Sequence, residues 1–333
     1  MRVQYRRLRL ARRPTWVAFA LACVLTGTAS AANGTASAAP SPAANATAAG
    51  AAAPAYSAKG ADTCLNCHND APLMGIFRTA HARPNDPHGP FGHGGLQCEA
   101  CHGPGGAHVK ARGRQPAGIV DFGHGAHAPV ARQNGMCLGC HQGNAAHAWG
   151  ASAHAAADVS CADCHQLHDA QDPVRRVDSQ PEVCGKCHQS QHLATMLKPS
   201  RHPLREGKMA CTSCHAAHGS SAPASLKKAS VNETCTDCHA EYRGPFLWEH
   251  QPVTEDCANC HDAHGSTQPA MLKTRAPFLC QQCHEEQGHP SVPNTPLGLA
   301  GGTPNSTLLL GGCLNCHSQI HGSNDPSGRA FMR

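Results

Sequence analysis

The stretch Cys211-Thr212-Ser213-Cys214-His215-Ala216-Ala217-His218 sets two thiols and two imidazoles within eight residues. Two cysteines separated by two residues and followed at once by histidine form the attachment signature for c-type haem. The thiols would form thioethers to the porphyrin edge, which places His215 beneath the iron. His218 follows three residues later. A helical turn between the two leaves both imidazoles on one side of the ring. Three residues are too few to carry the chain around the macrocycle to the opposite face. His218 is therefore expected to serve a neighbouring haem, so that one short segment holds two cofactors.

The signature occurs ten times. In chain order the thiol pairs and their histidines are Cys64 and Cys67 with His68, Cys98 and Cys101 with His102, Cys137 and Cys140 with His141, Cys161 and Cys164 with His165, and Cys184 and Cys187 with His188. The second half has Cys211 and Cys214 with His215, Cys235 and Cys238 with His239, Cys257 and Cys260 with His261, Cys280 and Cys283 with His284, and Cys313 and Cys316 with His317. These motifs use twenty of the twenty-one cysteines, and the exception, Cys23, lies in the leader. With 26 histidines in 333 residues, ten such coincidences have a chance probability on the order of 10⁻¹¹. Zinc sites and iron–sulfur clusters use closely spaced cysteines but need no histidine at a fixed offset. Disulfide scaffolds are usually much shorter than this chain. Ten covalently bound haem c groups are the expectation.

The composition agrees. Aromatic residues are 4% of the chain, whereas glycine and proline number 33 and 25. That is too little bulky apolar side chain for an ordinary core of this length. Porphyrin faces would supply the missing apolar surface, and folding should depend on haem insertion as small metal domains depend on their ion.

Residues 1–31 read as a secretory signal peptide: Arg2, Arg6, Arg7, Arg9, Arg12 and Arg13 precede an apolar run from Trp16 to Leu25, and Ala29-Ser30-Ala31 offers a cleavage site. Twin-arginine export, lipidation at Cys23 and retention as a membrane anchor are alternatives that fit the leader less well. Removing six arginines and no acids takes the net charge from +5 to −1. Haem propionates would lower it further, so nothing supports a nucleic-acid partner. Residues 32–60, rich in Ala, Ser, Thr, Pro and Gly, read as a disordered tether or a low-complexity tail.

The remaining residues, 61–333, form the decahaem region. After the isolated motif closing at His68, a looser module spans 81–141. Modules 154–188, 202–239 and 250–284 follow, and a closing segment spans 289–321. The leading histidines His154, His202 and His250 stand 48 residues apart, a spacing seen in stacked repeats. The modules and closing segment supply ten candidates for the distal axial position: His81, His108, His154, His168, His202, His218, His250, His264, His289 and His321. Six histidines remain (His88, His93, His124, His127, His147 and His192), read as solvated loop residues. His147 and His192 are the first substitutes should a distal candidate fail.

Ten proximal and ten distal imidazoles would make every iron six-coordinate. Such an iron cannot bind substrate without losing a ligand, so its work is outer-sphere electron transfer. Met74, Met136, Met196, Met209 and Met271 do not follow the repeat and read as gap-fillers. Low-spin, low-potential haems result, tuned by the protein around chemistry that belongs to the cofactor. The fold is expected to be mostly irregular with short helices at the motifs, glycine and proline turns between them, and little or no sheet. Modules stacked in sequence order give an elongated haem chain, exceeding the radius of gyration of about 19 Å of a compact globule of that size. No stretch after residue 31 reaches the roughly 18 uncharged apolar residues of a spanning helix.

Residues 58–333 resemble the decahaem periplasmic cytochromes of outer-membrane porin–cytochrome conduits, the MtrA type. The most specific stretches are Gly95–Pro104, Leu247-Trp248-Glu249-His250, Leu272–Pro277 and the end from Cys313 through His321-Gly322-Ser323-Asn324. The resemblance implies bis-histidine ligation throughout and a periplasmic protein seated inside an outer-membrane β-barrel porin. It further implies electron exchange with an extracellular multihaem cytochrome and with periplasmic or inner-membrane donor cytochromes, in metal reduction or Fe(II) oxidation. The Ala-rich tether and the His-rich loop from His81 to His93 depart from the family pattern. The resemblance implies an electron-transfer protein and no enzyme. A multihaem reductase acting on nitrite, hydroxylamine or an S-oxide would keep one iron open, and a free periplasmic shuttle would need no porin.

Overall fold

The computed structural model describes residues 55–112, 118–143, 148–284, 313–326 and 328–331, all within one unit, Ala53–Arg333. The expected leader 1–31, most of the tether 32–60, His147 and His289 lie outside the described residues.

Glycine and proline interrupt the chain so often that no described helix exceeds nine residues, the longest being Val130–Leu138 and Gln189–Leu197. Helices this short are not stable alone in water. They depend on tertiary contacts and on what binds between them. Among the described residues there is no β-strand, only isolated antiparallel bridges: Ser200 to Ser266, His215 to Leu226, Trp248 to Ser323 and His261 to Leu272. No described helix is long and apolar enough to cross a membrane.

The side chains that are buried make a thin core. Among the described residues only seven hydrophobic side chains are buried, including Val120, Val183, Leu204 and Leu226, against ten polar ones. A chain of this size cannot offset its conformational entropy with so little apolar burial. The apolar surface must come from the cofactors, as the composition requires.

The motifs alternate in how they enter their helix. In the first, third, fifth, seventh and ninth motifs the helix precedes the first cysteine and ends at or just after it: Ala61–Leu65, Val130–Leu138, Gln180–Gly185, Val231–Thr236 and Ala276–Cys280. In the even-numbered motifs the helix begins at the first cysteine: Cys98–His102, Cys161–Cys164, Cys211–Ser213, Cys257–Asn259 and Cys313–Asn315. Both kinds close the same turn. The histidine amide donates to the carbonyl of the first cysteine at 2.9–3.1 Å, as from His68 to Cys64, His215 to Cys211 and His261 to Cys257. That turn puts both thiols and the imidazole on one helical face.

Side-chain amides join an odd motif to the following even one. Asn134 Oδ1 accepts from the Cys161 amide at 2.8 Å while its Nδ2 donates to the Val159 carbonyl. Asn232 repeats the clamp on Cys257 and Val253, at 2.7 and 2.9 Å. Gln180 Oε1 accepts from the Thr212 amide at 2.9 Å. Each acceptor satisfies a free N–H at the start of an even-motif helix, which is capping supplied from a neighbouring module.

Candidate haem sites

The alternation fixes the order of the motifs in space. The first cysteines meet in pairs across odd and even motifs: Cys64 with Cys98, Cys137 with Cys161, Cys184 with Cys211, Cys235 with Cys257 and Cys280 with Cys313. Burial first and the facing thiol second push Cys64 up to about 11 and Cys235 up to about 12. The second cysteines adjoin the next odd motif, as Cys101 with Cys140, Cys164 with Cys187, Cys214 with Cys238 and Cys260 with Cys283. Each interior motif therefore lies near its predecessor and its successor in sequence. The series ends at Cys67 and Cys316, the second cysteines of the first and last motifs. Both are exposed, as are Cys140, Cys187, Cys238 and Cys283.

Nine motif histidines each face one of the distal candidates. The pairs are His68–His108 (6.2 Å between ring centres), His102–His168 (6.1 Å), His141–His81 (6.0 Å), His165–His218 (6.0 Å), His188–His154 (6.0 Å), His215–His264 (6.1 Å), His239–His202 (6.4 Å), His261–His321 (6.1 Å) and His284–His250 (6.1 Å). These rings are too far apart to touch. A metal about 2.0–2.1 Å from one nitrogen of each ring, each nitrogen about 1.1 Å from its own ring centre, sets the centres about 6.3 Å apart. The residues present thus fit a six-coordinate haem iron in nine places. The tenth motif histidine, His317, is described, but its candidate partner His289 is not.

The pairing resolves what spacing left open. His218 faces His165, and His264 faces His215, not the motif histidine three residues before it. The leading histidines His81, His154, His202 and His250 face the odd motif of their own module. The trailing histidines His168, His218, His264 and His321 reach back to the preceding even motif. Of the leftover histidines, His127 lies exposed with Nδ1 2.8 Å from Asp121, and His192 pairs with Glu182 at 3.1 Å. Neither faces a motif histidine in these ring pairs.

Eight of the rings are oriented through Nδ1, which leaves Nε2 for a metal. His154, His202 and His250 point Nδ1 at the carbonyls of Ala217, Ala263 and Ile320, at 2.9, 3.1 and 3.0 Å. Each of those carbonyls belongs to the residue just before a trailing histidine. One hydrogen bond thus couples the distal rings of two sites. Among motif histidines, His102 uses the Val120 carbonyl, His215 that of Ala224, His261 that of Ala270 and His317 that of Ala330. Ala224 and Ala270 adopt φ of 51° and 53°, which aims those carbonyls. His165 differs: its Nδ1 meets a carboxylate, Asp172 Oδ2, at 2.6 Å.

Burial first, then the facing imidazole, lowers His81, His168, His218, His264 and His321 below the ordinary histidine value. Burial likewise lowers His250, against the raising pull of the Ile320 carbonyl. A neutral imidazole is the ligating form. A cavity of about 640 Å³ beside Cys257 and His321 is walled by Asn232, Tyr242, Phe246 and Val253, a size suited to a cofactor. Tyr242 packs 4.4 Å from His321 and 6.4 Å from His239, between two adjacent sites.

Sequence reasoning missed Asn134, Gln180, Asn232, Asp172 and Tyr242. The amides were open to discovery, since each stands three or four residues before an odd first cysteine. Two of the family-specific stretches prove to be partners. Trp248 and Ser323 exchange backbone hydrogen bonds at 2.8 and 3.0 Å, and the Trp248 indole donates to the Asp325 carbonyl at 2.8 Å.

Two family profiles match the chain: one described as a doubled CXXCH motif, over residues 202–244 and 250–289, and one as cytochrome c-type protein NrfB-like, over 98–181. The multiheme cytochrome MtrA of Shewanella baltica is 51% identical over 284 residues, covering 84% of this chain and 83% of that protein. The cytochrome c-type protein NrfB of Escherichia coli is 27% identical over 125 residues, 32% of this chain and 65% of that protein.

Proposed function

Because this chain belongs to the MtrA family of multihaem electron-transfer cytochromes and carries covalently bound haem c, we propose that its twenty paired cysteines and twenty histidines hold ten bis-histidine haems as a wire in sequence order. The observation that carries this reading is the set of nine facing imidazole pairs at 6.0–6.4 Å. His289, the remaining candidate, is assigned to His317.

The haem supplies a one-electron couple, and the protein supplies everything that makes ten of them a path. The motif turns fix each macrocycle by two thioethers and one imidazole. The neighbouring cysteines would hold successive haems close to one another, the first cysteines within a pair and the second cysteines between pairs. Two histidines per iron leave no position for substrate, which supports electron transfer over reduction of nitrite, hydroxylamine or an S-oxide.

The location is proposed from the family. The leader 1–31 exports the chain to the periplasm, 32–60 tethers it, and the decahaem region 61–333 sits inside an outer-membrane β-barrel porin. A wire without a spanning helix of its own needs a partner's closed barrel to pass lipid. An extracellular multihaem cytochrome and periplasmic or inner-membrane cytochromes are the exchange partners on either side.

The test is reconstitution of the holoprotein with a β-barrel porin in liposomes that enclose a redox dye. External dithionite should reduce the dye only when both proteins are present. Dye reduction by the barrel alone, or a ferric spectrum with a high-spin iron that takes up an added ligand, would sink the proposal.

A further inference from the structure

In two modules the loop after the motif histidine is closed by a pair of backbone carbonyls. His215 Nδ1 meets the Ala224 carbonyl at 2.9 Å, and the Ala216 amide donates to Ser225 at 2.7 Å. His261 Nδ1 meets Ala270 at 2.7 Å, and the Asp262 amide donates to Met271 at 2.8 Å. In the module 154–188 a single side chain does both. Asp172 Oδ2 meets His165 Nδ1 at 2.6 Å and Oδ1 accepts from the Gln166 amide at 3.1 Å. The side chain is 12% exposed, and among the described residues it forms no ion pair with lysine or arginine. A full negative charge thus replaces two neutral carbonyl dipoles.

We infer that Asp172 sets the haem held by His165 and His218 apart as the lowest-potential site of the wire. The inference rests on the ligand assignment above. A carboxylate drawing on the Nδ1 proton makes the imidazole a stronger donor, which favours the ferric over the ferrous iron. Charge-assisted hydrogen bonds are also the stronger ones. The nearest comparison is Glu241, whose carboxylate lies 3.7 Å from His239 Nδ1 with both side chains more than half exposed. That distance is too long for a hydrogen bond, and solvent screens the charge. Asp172 is a positioning residue: it touches a ligand, not the iron. Its site, fourth of ten, is the last to accept an electron and stands as a step between the first three haems and the last six.

The experiment is a reductive titration of the ten-haem protein with dithionite as electron donor, followed by the haem absorbance. Each ferric iron takes one electron. In Asp172→Asn about one-tenth of the absorbance change, the part most resistant to reduction, should move to higher potential while the rest overlays the parent. Glu241→Gln should leave the curve unmoved. Haem counting by pyridine haemochrome checks that the variant is loaded, and Asp172→Ser replaces it if the amide loses haem. Electron paramagnetic resonance of the unaltered ferric protein gives a readout without any variant: one low-spin signal with a narrowed g spread, absent in Asp172→Asn. Superimposable titrations and spectra would overturn the inference while every iron stays low-spin. A high-spin iron in the parent would instead overturn the ligand assignment.

Discussion

The interior of this molecule and its two ends solve one ligand problem in different ways. From His102 to His264 each even motif histidine faces an imidazole of the even motif after it: His102 faces His168, His165 faces His218, His215 faces His264 and His261 faces His321. A rule that borrows from the next module fails at both ends. The first motif has no leading histidine of its own, and His108 turns to His68. For His317, which closes the tenth motif, His289 is the proposed partner. Repeats that stack by sharing a core need atypical end units. Here the shared element is the proposed metal ligand, so on that reading an interior module without its successor is chemically incomplete as well as less buried.

Truncation is the strongest test of that difference. A chain ending at Glu249 keeps seven motifs and loses His264 along with everything after it. Borrowing predicts one open iron among seven, the one on His215, visible as a high-spin signal that binds carbon monoxide. Self-contained modules would leave none. Several open irons would mean that the interior cannot hold its geometry at all.

Single substitutions sharpen the same contrast. His264→Ala should open the His215 iron and also loosen the junction between modules 202–239 and 250–284, because the carbonyl beside His264 orients His202. A perturbed spectrum for the His202 site, beyond one carbon-monoxide-binding haem in ten, is the expected result. His108→Ala should open the His68 iron and leave the interior spectrum untouched. Equal disturbance from both would erase the distinction between end and interior.

How much of this could be read from the sequence follows from the same physics. Haem attachment is local, written in five adjacent residues, and so all ten motifs were legible. The 48-residue spacing picked out His154, His202 and His250 as candidates, and chain length alone pointed His218 toward a neighbouring haem. Which iron each serves is a long-range fact. His154 and Ala217 lie 63 residues apart in sequence, and no local pattern announces such a contact. Asp172 escaped for a related reason: it stands where the matching loops use backbone carbonyls, so no repeat marks it. The Trp248 and Ser323 stretches were visible as peculiar but not as partners.

Glycine substitutions probe the packing behind the ligands. Gly265, next to His264, has a φ of +115°, and an added Cβ would lie 3.0 Å from the Ala194 carbonyl oxygen and 3.2 Å from that of Ser200. Gly94, near the amino-terminal end, has a φ of +79° with nothing within 4 Å of the same position. Gly94→Ala should cost only the backbone strain of about 1–2 kcal/mol. Gly265→Ala should cost more, about 2–4 kcal/mol, since carbonyls must also move. Chemical denaturation of the two holoproteins measures the gap, and equal midpoints would show that the interior junction yields freely.

The smallest effect expected is one of pH, and it belongs to the amino-terminal end. Burial alone would raise the Glu99 carboxyl, but the Gly105 amide and the Ser57 hydroxyl and amide hold it below the ordinary range. Their distances are 2.6 Å from the Gly105 nitrogen, 2.7 Å from Ser57 Oγ and 2.9 Å from the Ser57 nitrogen. A carboxylate with a depressed folded value stabilises fully above the unfolded value of about 4.3 and loses that contribution as pH falls through the folded one. Hydrogen exchange at the Ser57 and Gly105 amides should therefore quicken on acidification below that pH, after correction for the intrinsic rate. The interior clamps of Asn134 and Asn232 are neutral amides, so the amides of Cys161 and Cys257 should hold their protection over the same range. Glu99→Gln should remove the pH dependence at the end and leave the interior unchanged. Matching acid sensitivity at both places would mean that the two ends of the comparison are held by the same charge, contrary to the contacts that hold them.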